Sequence, residues 1–315
     1  APELVAASFS LGVSHPPGHP AYILFSHLFA LLPIGSVAFR LALFSAFCFG
    51  MASWLTYRAG LHLFSAFPRI SSDSAWTRLF WLLPTVGAGL VYSTCLQAVR
   101  PEVYTFHAAL CMATLERCLA AYHATTQEET DRAMWLALLF AGVGLANHHY
   151  LMLLMVPGCL LLSIFSGFWQ KRIITRVLIS LFILGIGLST YLYLPLRSKQ
   201  QPVVHWGAVD SWESMGWTLS AKVWQGSVKV HKSQQPLLMR AFLLLSLYID
   251  QLGIWLCFLA FVGFYLLIRL RLWLGMGVVF WWLGDFLSRV LLEVNLQDAD
   301  LHGYLIVSFL LMSFK

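Results

Sequence analysis

Six short polar clusters hold most of the side chains in this sequence that could bind or transform a ligand. Their residue types are those of catalytic and binding sites: carboxylates, arginines, imidazoles, an amide and an indole. The clusters are Glu3, 15–19, 100–104, 147–149, 197–206 and 298–304. Long apolar stretches separate them, so the fold must bring them together before they can act on one ligand.

Carboxylates occur in the first and the last cluster. Glu3 is the only acid of the first polar segment. It is a candidate general base or a ligand for a metal ion or an acceptor, and an ordinary solvated or capping carboxylate is the alternative. Asp298, Asp300 and Tyr304 form a second acidic segment together with His302. We expect this segment to make hydrogen bonds or to be solvated, and divalent-cation binding is the weaker alternative.

Two arginines are candidates for binding a phosphate. Arg100 and Pro101 stand where a helix is predicted to begin, just before Glu102 and Tyr104, because proline suits the first helical turn. A guanidinium can bind a phosphate through two parallel hydrogen bonds. A local ion pair between Arg100 and Glu102 is the alternative. Arg197 follows an aromatic run, at the level where lipid phosphates lie.

The histidine clusters predict loops and turns and give no evidence for a metal site. His15 and His19 flank Pro16-Pro17-Gly18, which cannot be helical because Pro17 lacks a donor and clashes with the preceding turn. They therefore do not form the i, i+4 pair of many zinc sites, and we assign no metal. The segment is either a loop that presents hydrogen-bonding groups to a ligand or a structural bend. The six cysteines have no metal-type spacing and are expected to be packing residues.

Asn147, His148 and Trp206 are candidates for contacting a polar ligand. Asn147-His148-His149 separates two short apolar runs, which predicts a tight helical hairpin. The triplet either forms a turn at the membrane interface or bonds a ligand there. Trp206 precedes Gly207 and could stack on a sugar face, with interfacial anchoring as the alternative.

The composition requires a membrane protein. Apolar residues make up 59% of the 315 positions and charged residues 11%, against about half and a quarter in soluble domains. Several uncharged blocks approach or exceed the roughly 20 residues needed to cross a bilayer. We predict an all-α, polytopic transmembrane bundle that forms one domain, 1–315, with both ends truncated. The net charge of +6 suits anionic headgroups or phosphates and does not indicate nucleic acid.

The apolar blocks give a topology. The stretch 21–32 is short and is expected to be interfacial or re-entrant, and 94–104 and 295–302 are expected to be loops, as is the long polar segment 197–236. Spans are predicted at 36–57, 76–92, 105–122, 177–196, 237–268 and 272–292. If residues 1–35 lie outside, the short inside loops carry the arginines and lysine that the positive-inside rule requires. All six polar clusters then lie on the non-cytoplasmic face.

Several motifs together resemble a known family. They are APELVAA followed by LGVSHPPGHPAY, then LLPIGSVAFRLALFSA, PEVY, GLANHH, YLYLPLR, and HWG with Trp212-Glu213. In this order they resemble the polytopic glycosyltransferases catalogued in bacteria as a domain of unknown function. That family is related to the animal transmembrane O-mannosyltransferase that acts on plexin-type and receptor IPT domains. The HPPGxP run is the most specific of these motifs.

The resemblance implies a fold and an activity. It implies the GT-C fold and a mannose-like sugar transferred from a polyprenyl-phosphate donor to a hydroxyl acceptor, a protein or a glycan. The reaction would occur on the non-cytoplasmic side of the bacterial inner membrane or the endoplasmic reticulum, with membrane lipids as neighbours. No cofactor is implied with certainty, and divalent-metal dependence is left open. A membrane transporter or a lipid or sugar flippase is the main alternative, and a non-catalytic scaffold is a second.

The resemblance also implies roles for particular residues. The family has a catalytic aspartate just before the position of Ala1, and a glutamate that Glu3 matches. Glu3 is therefore either the base or a residue that positions the acceptor. His19 stands where tyrosine is more common, and His205 where asparagine is. Arg100 and Arg197 would hold the donor phosphate. The sugar and acceptor pocket would comprise His15, His19, Glu102, Tyr104, Asn147, His148, Trp206, Asp298, Asp300 and Tyr304.

Overall fold

The computed structural model is an all-α bundle of membrane type, as predicted. It describes residues 2–65, 75–170, 172–223, 235–292 and 294–314. The described residues contain no β-strand, and one isolated parallel bridge joins Val13 to His205. The apolar composition and the helical folding of nearly every apolar block account for this architecture.

The helices follow the apolar blocks closely. The first half contains α1 (Pro2–Ser10), α2 (Pro20–Ala30), α3 (Val37–Ser65), α4 (Ala75–Gly89), α5 (Tyr92–Ala98), α6 (Val103–His123), α7 (Gln127–Leu154) and α8 (Val156–Phe165). The second half contains α9 (Ile173–Leu188), a 3-10 turn (Ser189–Leu192), α10 (Tyr193–Ser198), α11 (Trp212–Leu219), α12 (Leu237–Leu252), α13 (Ile254–Leu270), α14 (Leu272–Val290), α15 (Ala299–Tyr304) and α16 (Ile306–Leu311).

Three helical units among the described residues are long and apolar enough to cross a membrane. They are α3, α7 and the continuous unit Ile173–Ser198. On α9, the side chains of Ile174, Leu178 and Phe182 form an i, i+4, i+8 stripe that is 62–74% exposed, as expected of a face toward lipid. By contrast, α6 is enclosed by its neighbours over most of its length and so carries polar residues that a lipid-facing helix would not.

The predicted span 237–268 is wrong as one continuous helix. The chain breaks between α12 and α13 at Gly253, and the two helices meet at 110°. Gly253 has φ 80° and ψ 152°, a conformation that residues with a Cβ rarely adopt. Because both flanking segments are apolar, hydropathy alone does not reveal this break.

The predicted hairpin around Asn147-His148-His149 is also wrong. Helix α7 continues through the triplet, and only His148 leaves helical geometry, with φ −150° and ψ 83°. The helix ends later, at Leu154, and α8 begins with Val156-Pro157. A polar triplet without glycine or proline can kink a helix without ending it, and the proline marks the true boundary.

Three predicted loops contain helices. Helix α5 overlaps the predicted loop 94–104, α15 overlaps 295–302, and α11 lies within 197–236. Short polar caps explain two of them: Ser211 accepts a hydrogen bond from Ser214 N, and Asp298 accepts one from Asp300 N. Residues 224–234 of the long predicted loop lie outside the described residues.

Candidate functional site

The loop of residues 11–19 is fixed to the segment that follows α10. The Val13 N–H donates to Val204 O (2.8 Å), and the Trp206 N–H donates to Val13 O (3.1 Å). The Tyr193 hydroxyl donates to Gly12 O (2.9 Å). The predicted non-helical conformation of the His15–His19 run is confirmed. Two clusters that are far apart in the sequence are therefore held side by side.

Glu3 is bonded to the histidine loop through both carboxylate oxygens. Its Oε1 accepts from the His15 N–H (2.7 Å), and its Oε2 accepts from His15 Nδ1 (2.9 Å). Partial burial opposes ionisation, but the bonds from His15 outweigh it and lower the pKa of Glu3 below its ordinary value. The side chain is 31% exposed. Glu3 is thus an ionised carboxylate that orients an imidazole and keeps access to solvent.

A row of imidazoles leads from Glu3 into the protein. The ring centroids of His15 and His19 are 5.3 Å apart, and those of His19 and His148 are 5.6 Å apart. His19 Nδ1 donates to Asn147 O (2.6 Å). Burial lowers the pKa of His19 to about 3, so this imidazole is neutral at physiological pH. The helix kink at His148 is what places its ring at the end of this row.

Several buried polar atoms around the row have no protein partner among the described residues. The Asn147 amide donates to Val103 O (3.1 Å), yet its Oδ1 accepts nothing, and Nδ1 of both His148 and His149 is unpartnered. An unsatisfied buried polar atom costs about 1–3 kcal/mol. Such a group of atoms is what a site for a polar ligand provides.

Tyrosines from two helices complete the inner wall of the site. The ring of Tyr104 lies 5.3 Å from that of Tyr304, and both lie against His148 at 6.1 and 5.6 Å. Gly303 makes this packing possible, because a Cβ there would lie 2.2 Å from the Tyr104 ring. Helix α15 thereby joins the last polar cluster to the third and fourth.

Arg100 forms ion pairs with acids, and one of them is the pair with Glu102 that the sequence analysis gave as an alternative. Its Nη2 lies 3.1 Å from Asp300 Oδ1 and 3.7 Å from Glu102 Oε1. Its Nη1 is buried and has no partner among the described residues. The local ion pair with Glu102 is present, and one donor remains for a further acceptor. The phosphate role of Arg100 stays a prediction.

Arg197 has a different set of partners. Its guanidinium donates to the carbonyls of Leu11 (2.5 Å) and Ser10 (2.9 Å) and to the Gln200 side chain. It therefore satisfies the carbonyls at the C-terminus of α1, a common use of arginine. Trp206 lies on the same side of the site and is 40% exposed. The predicted phosphate and sugar contacts of these two residues stay predictions.

Sequence reasoning does not single out two charged residues of α14. Arg289 lies over the ring of Tyr304 (4.9 Å), with Nη2 3.7 Å from Asp298 Oδ2. Asp285, one turn earlier, is fully buried, and its Oδ2 accepts from Ser308 N (2.7 Å). Both lie inside a predicted apolar span, where a charged residue is itself a signal of a functional site.

A cavity of about 610 Å³ with a mixed polar and apolar lining adjoins the site on the other face of α15. Ala299 and His302 line it, whereas Asp300 and Tyr304 face Arg100 and Tyr104. The cavity is also bounded by Tyr92, Asp250, Gln251 and Gln297.

Within the described part of the chain, no group of three or more His, Cys, Asp or Glu side chains is arranged to hold a metal ion.

Comparisons with known proteins agree with these motifs. Residues 1–172 match the family described as the protein O-mannosyl-transferase TMEM260 N-terminal domain. The chain is 25% identical over 215 residues to the protein O-mannosyl-transferase tmem260 of Dictyostelium discoideum, covering 65% of this chain and 25% of that protein. It is 28% identical over 203 residues to the Mus musculus protein O-mannosyl-transferase TMEM260, covering 62% and 26%. No solved structure gives a significant match.

This chain belongs to the TMEM260 N-terminal domain family, because the match covers more than half of its 315 residues. The resemblance inferred from the motifs is confirmed. The chain spans about a quarter of the length of the curated relatives it matches. Arg197, Trp206 and 298–304 lie beyond the matched residues, and the structure packs them against the matched part.

Proposed function

We propose that this chain forms the membrane domain of a GT-C-type glycosyltransferase. It would transfer mannose from a polyprenyl-phosphate donor to a hydroxyl of a protein acceptor on the non-cytoplasmic side of the membrane. The observation that carries this proposal is the set of unpartnered buried polar atoms on Asn147, His148 and His149, beside the Glu3–His15 pair. The names of the relatives support the same class of reaction.

In the proposed reaction the acceptor oxygen bonds to the anomeric carbon of mannose, and the bond from that carbon to the donor phosphate breaks. The acceptor proton passes to a carboxylate, and the polyprenyl phosphate leaves with the bonding electron pair. Glu3, acting directly or through His15, is the proton acceptor within this chain. The aspartate that the family carries just before the position of Ala1 is the competing base, and Glu3 would then position the acceptor.

The leaving phosphate requires cations beside the sugar pocket. Arg100 suits this role because one of its terminal nitrogens is buried without a partner. Arg289 approaches the same place from α14, over the ring of Tyr304. A bound phosphate would replace the carboxylates of Asp300 and Asp298 on these arginines or share the arginines with them, and both carboxylates are open to solvent, at 47% and 41% exposure. Charge-assisted bonds to a phosphate are stronger than the exposed ion pairs they replace.

A transport function is the second candidate, and one observation favours it. Helices α12 and α13 meet at 110° around Gly253, and transporters commonly bind substrates at broken helices. The unpartnered polar atoms of Asn147, His148 and His149, which carry the proposal, lie elsewhere, on α7. Flux of the sugar lipid without transfer of mannose would support this candidate over the glycosyltransferase.

The proposal is tested with the full-length protein reconstituted in lipid. Labelled polyprenyl-phosphate mannose and an acceptor protein should give a mannosylated product with the wild type. An absence of product with every hydroxyl acceptor, combined with donor flux, would contradict the proposal. Sidedness is tested separately by labelling Glu213→Cys and Glu128→Cys, which replace two exposed acids. Glu128 lies in the first turn of α7, at the end away from His148, and Glu213 follows the segment that is bonded to Val13. Glu213→Cys should label from the non-cytoplasmic side and Glu128→Cys from the cytoplasmic side.

A further inference from the structure

An apolar groove of about 570 Å³ runs along the bundle between α3 and α6, away from the imidazoles. Its wall includes Phe44, Met51 and Trp54 of α3, and Ala109 of α6 forms part of its floor. Trp54 is 50% exposed and Met51 37%, so the groove opens on the outside of the bundle. A groove of this kind on a membrane-spanning helix is open to the hydrocarbon chains of the bilayer.

The length of the groove suits a chain of one bilayer leaflet. From Phe44 to Arg58 the wall on α3 rises by 14 residue steps, or about 21 Å at the helical rise. One leaflet of the hydrocarbon core is about 15 Å thick. The groove is therefore long enough to hold a single acyl chain along its length.

The charges of the groove lie at one end only. Arg58, Glu116 and Arg117 line that end, about 18 Å along α6 from Tyr104. Arg58 Nε donates to Glu116 Oε1 (2.9 Å), while Arg117 bonds both carboxylate oxygens, each at 2.5 Å. His62 Nε2 also contacts Oε1 (3.3 Å). Two arginines against one buried carboxylate leave an excess positive charge at the end of an apolar groove.

Arg58 is the residue of this cluster that can bind a further anion. Its side chain is 40% exposed, and only Nε is used on Glu116, so both terminal nitrogens lack a partner in the described part of the protein. Its guanidinium also lies 5.3 Å over the ring of Trp54, which fixes it beside the apolar wall. This combination matches a lipid, with an anionic head and an apolar chain.

We propose that this groove binds one anionic phospholipid, with an acyl chain on the apolar wall and its phosphate on Arg58 and Arg117. The site is separate from the proposed donor site and does not depend on the proposed function. A donor's polyprenyl tail reaching down from the imidazoles would instead place uncharged hydrocarbon against the arginines. The excess positive charge favours the phospholipid.

Native mass spectrometry of the full-length protein with phosphatidylglycerol or phosphatidylcholine of identical chains tests this proposal. The wild type should retain one phosphatidylglycerol in preference to phosphatidylcholine. Arg58→Gln should lower that preference about tenfold, because charge-assisted hydrogen bonds are lost. The fold should persist in this variant because Arg117 still pairs with Glu116. The matched control is Arg172→Gln, which replaces an exposed arginine that does not line the groove. This variant should behave as wild type.

A second variant tests the apolar part without changing any charge. Ala109→Phe should fill the floor of the groove and reduce retention of both lipids equally. The proposal is overturned if the wild type shows no preference for phosphatidylglycerol, or if Arg58→Gln or Ala109→Phe retains lipids as the wild type does. It is also overturned if polyprenyl phosphate displaces the bound lipid equally from the wild type and from Arg58→Gln, since the donor tail would then be the occupant.

Discussion

The two ends of α6 both contain buried polar groups, but these groups have hydrogen-bond partners at one end and lack them at the other. At the end that carries Glu116, the carboxylate is 1% exposed and receives hydrogen bonds from two arginines and a histidine. At the end that carries Tyr104, acceptors and donors of Asn147, His148 and Arg100 have no partner among the described residues. A cluster whose polar atoms are all hydrogen-bonded stabilises the fold. A cluster with unbonded polar atoms costs folding free energy, and a ligand that bonds those atoms recovers it.

The largest expected effect is on the Tyr104 end. Glu3→Gln preserves the shape of the side chain but cannot accept a proton. If Glu3 is the base, the maximal rate of mannose transfer should fall by roughly 10²- to 10⁴-fold while donor binding is retained. If the preceding aspartate of the family is the base, the KM for the acceptor should rise more than the rate falls. Wild-type rates at every acceptor concentration would remove Glu3 from the site.

The next effect concerns the Glu116 end, and it should appear in stability. Glu116→Gln leaves the arginines around a buried position without their counter-charge, which costs about 3–5 kcal/mol for a fully buried pair and somewhat less here. Thermal unfolding in detergent should show a large drop in Tm. Glu128→Gln, an exposed acid at the same end, is the control and should change little. Equal Tm values for the two variants would contradict the structural role of the cluster.

A smaller effect separates the two arginines near the site. Arg100→Lys removes the planar fork, so donor affinity should fall roughly 10- to 150-fold, the range of one charge-assisted hydrogen bond of ~1.5–3 kcal/mol. Arg197→Lys should mainly lower Tm, because Arg197 is bonded to the carbonyls of Ser10 and Leu11. Apparent donor affinities from the transfer assay and Tm values measured together decide this. An unchanged donor affinity in Arg100→Lys would exclude its phosphate role.

Much of the fold follows from hydropathy, and the exceptions have local causes. The all-α class and the spans represented by α3 and Ile173–Ser198 are predicted from apolar length alone. The break at Gly253 is invisible to hydropathy because the residues on both sides are apolar. The continuation of α7 through Asn147-His148-His149 is not predicted because the apolar pattern is interrupted there, and the bond from His19 to Asn147 O at the kink is a tertiary contact that the sequence does not reveal.

Several residues of the candidate site could be predicted from the sequence, but their arrangement in space could not. Motifs and polarity identify Glu3, His15, His19, Asn147 and His148, which the structure brings together. That Arg197 would bond α1 follows only from tertiary packing. Arg289 and Asp285 lie in an apolar stretch whose mean hydropathy stays high despite these two charged residues. A search for charged residues within apolar spans would have found both.

Donor-induced thermal stabilisation tests the contrast between the two ends most directly. The full-length protein is heated with and without polyprenyl-phosphate mannose, as wild type, His148→Ala and Arg58→Gln. Binding to the unsatisfied groups predicts a rise in Tm with donor for the wild type and for Arg58→Gln, and little or no rise for His148→Ala. A rise that is unchanged in His148→Ala, or one that is lost in Arg58→Gln alone, would contradict the placement of the donor site at the Tyr104 end.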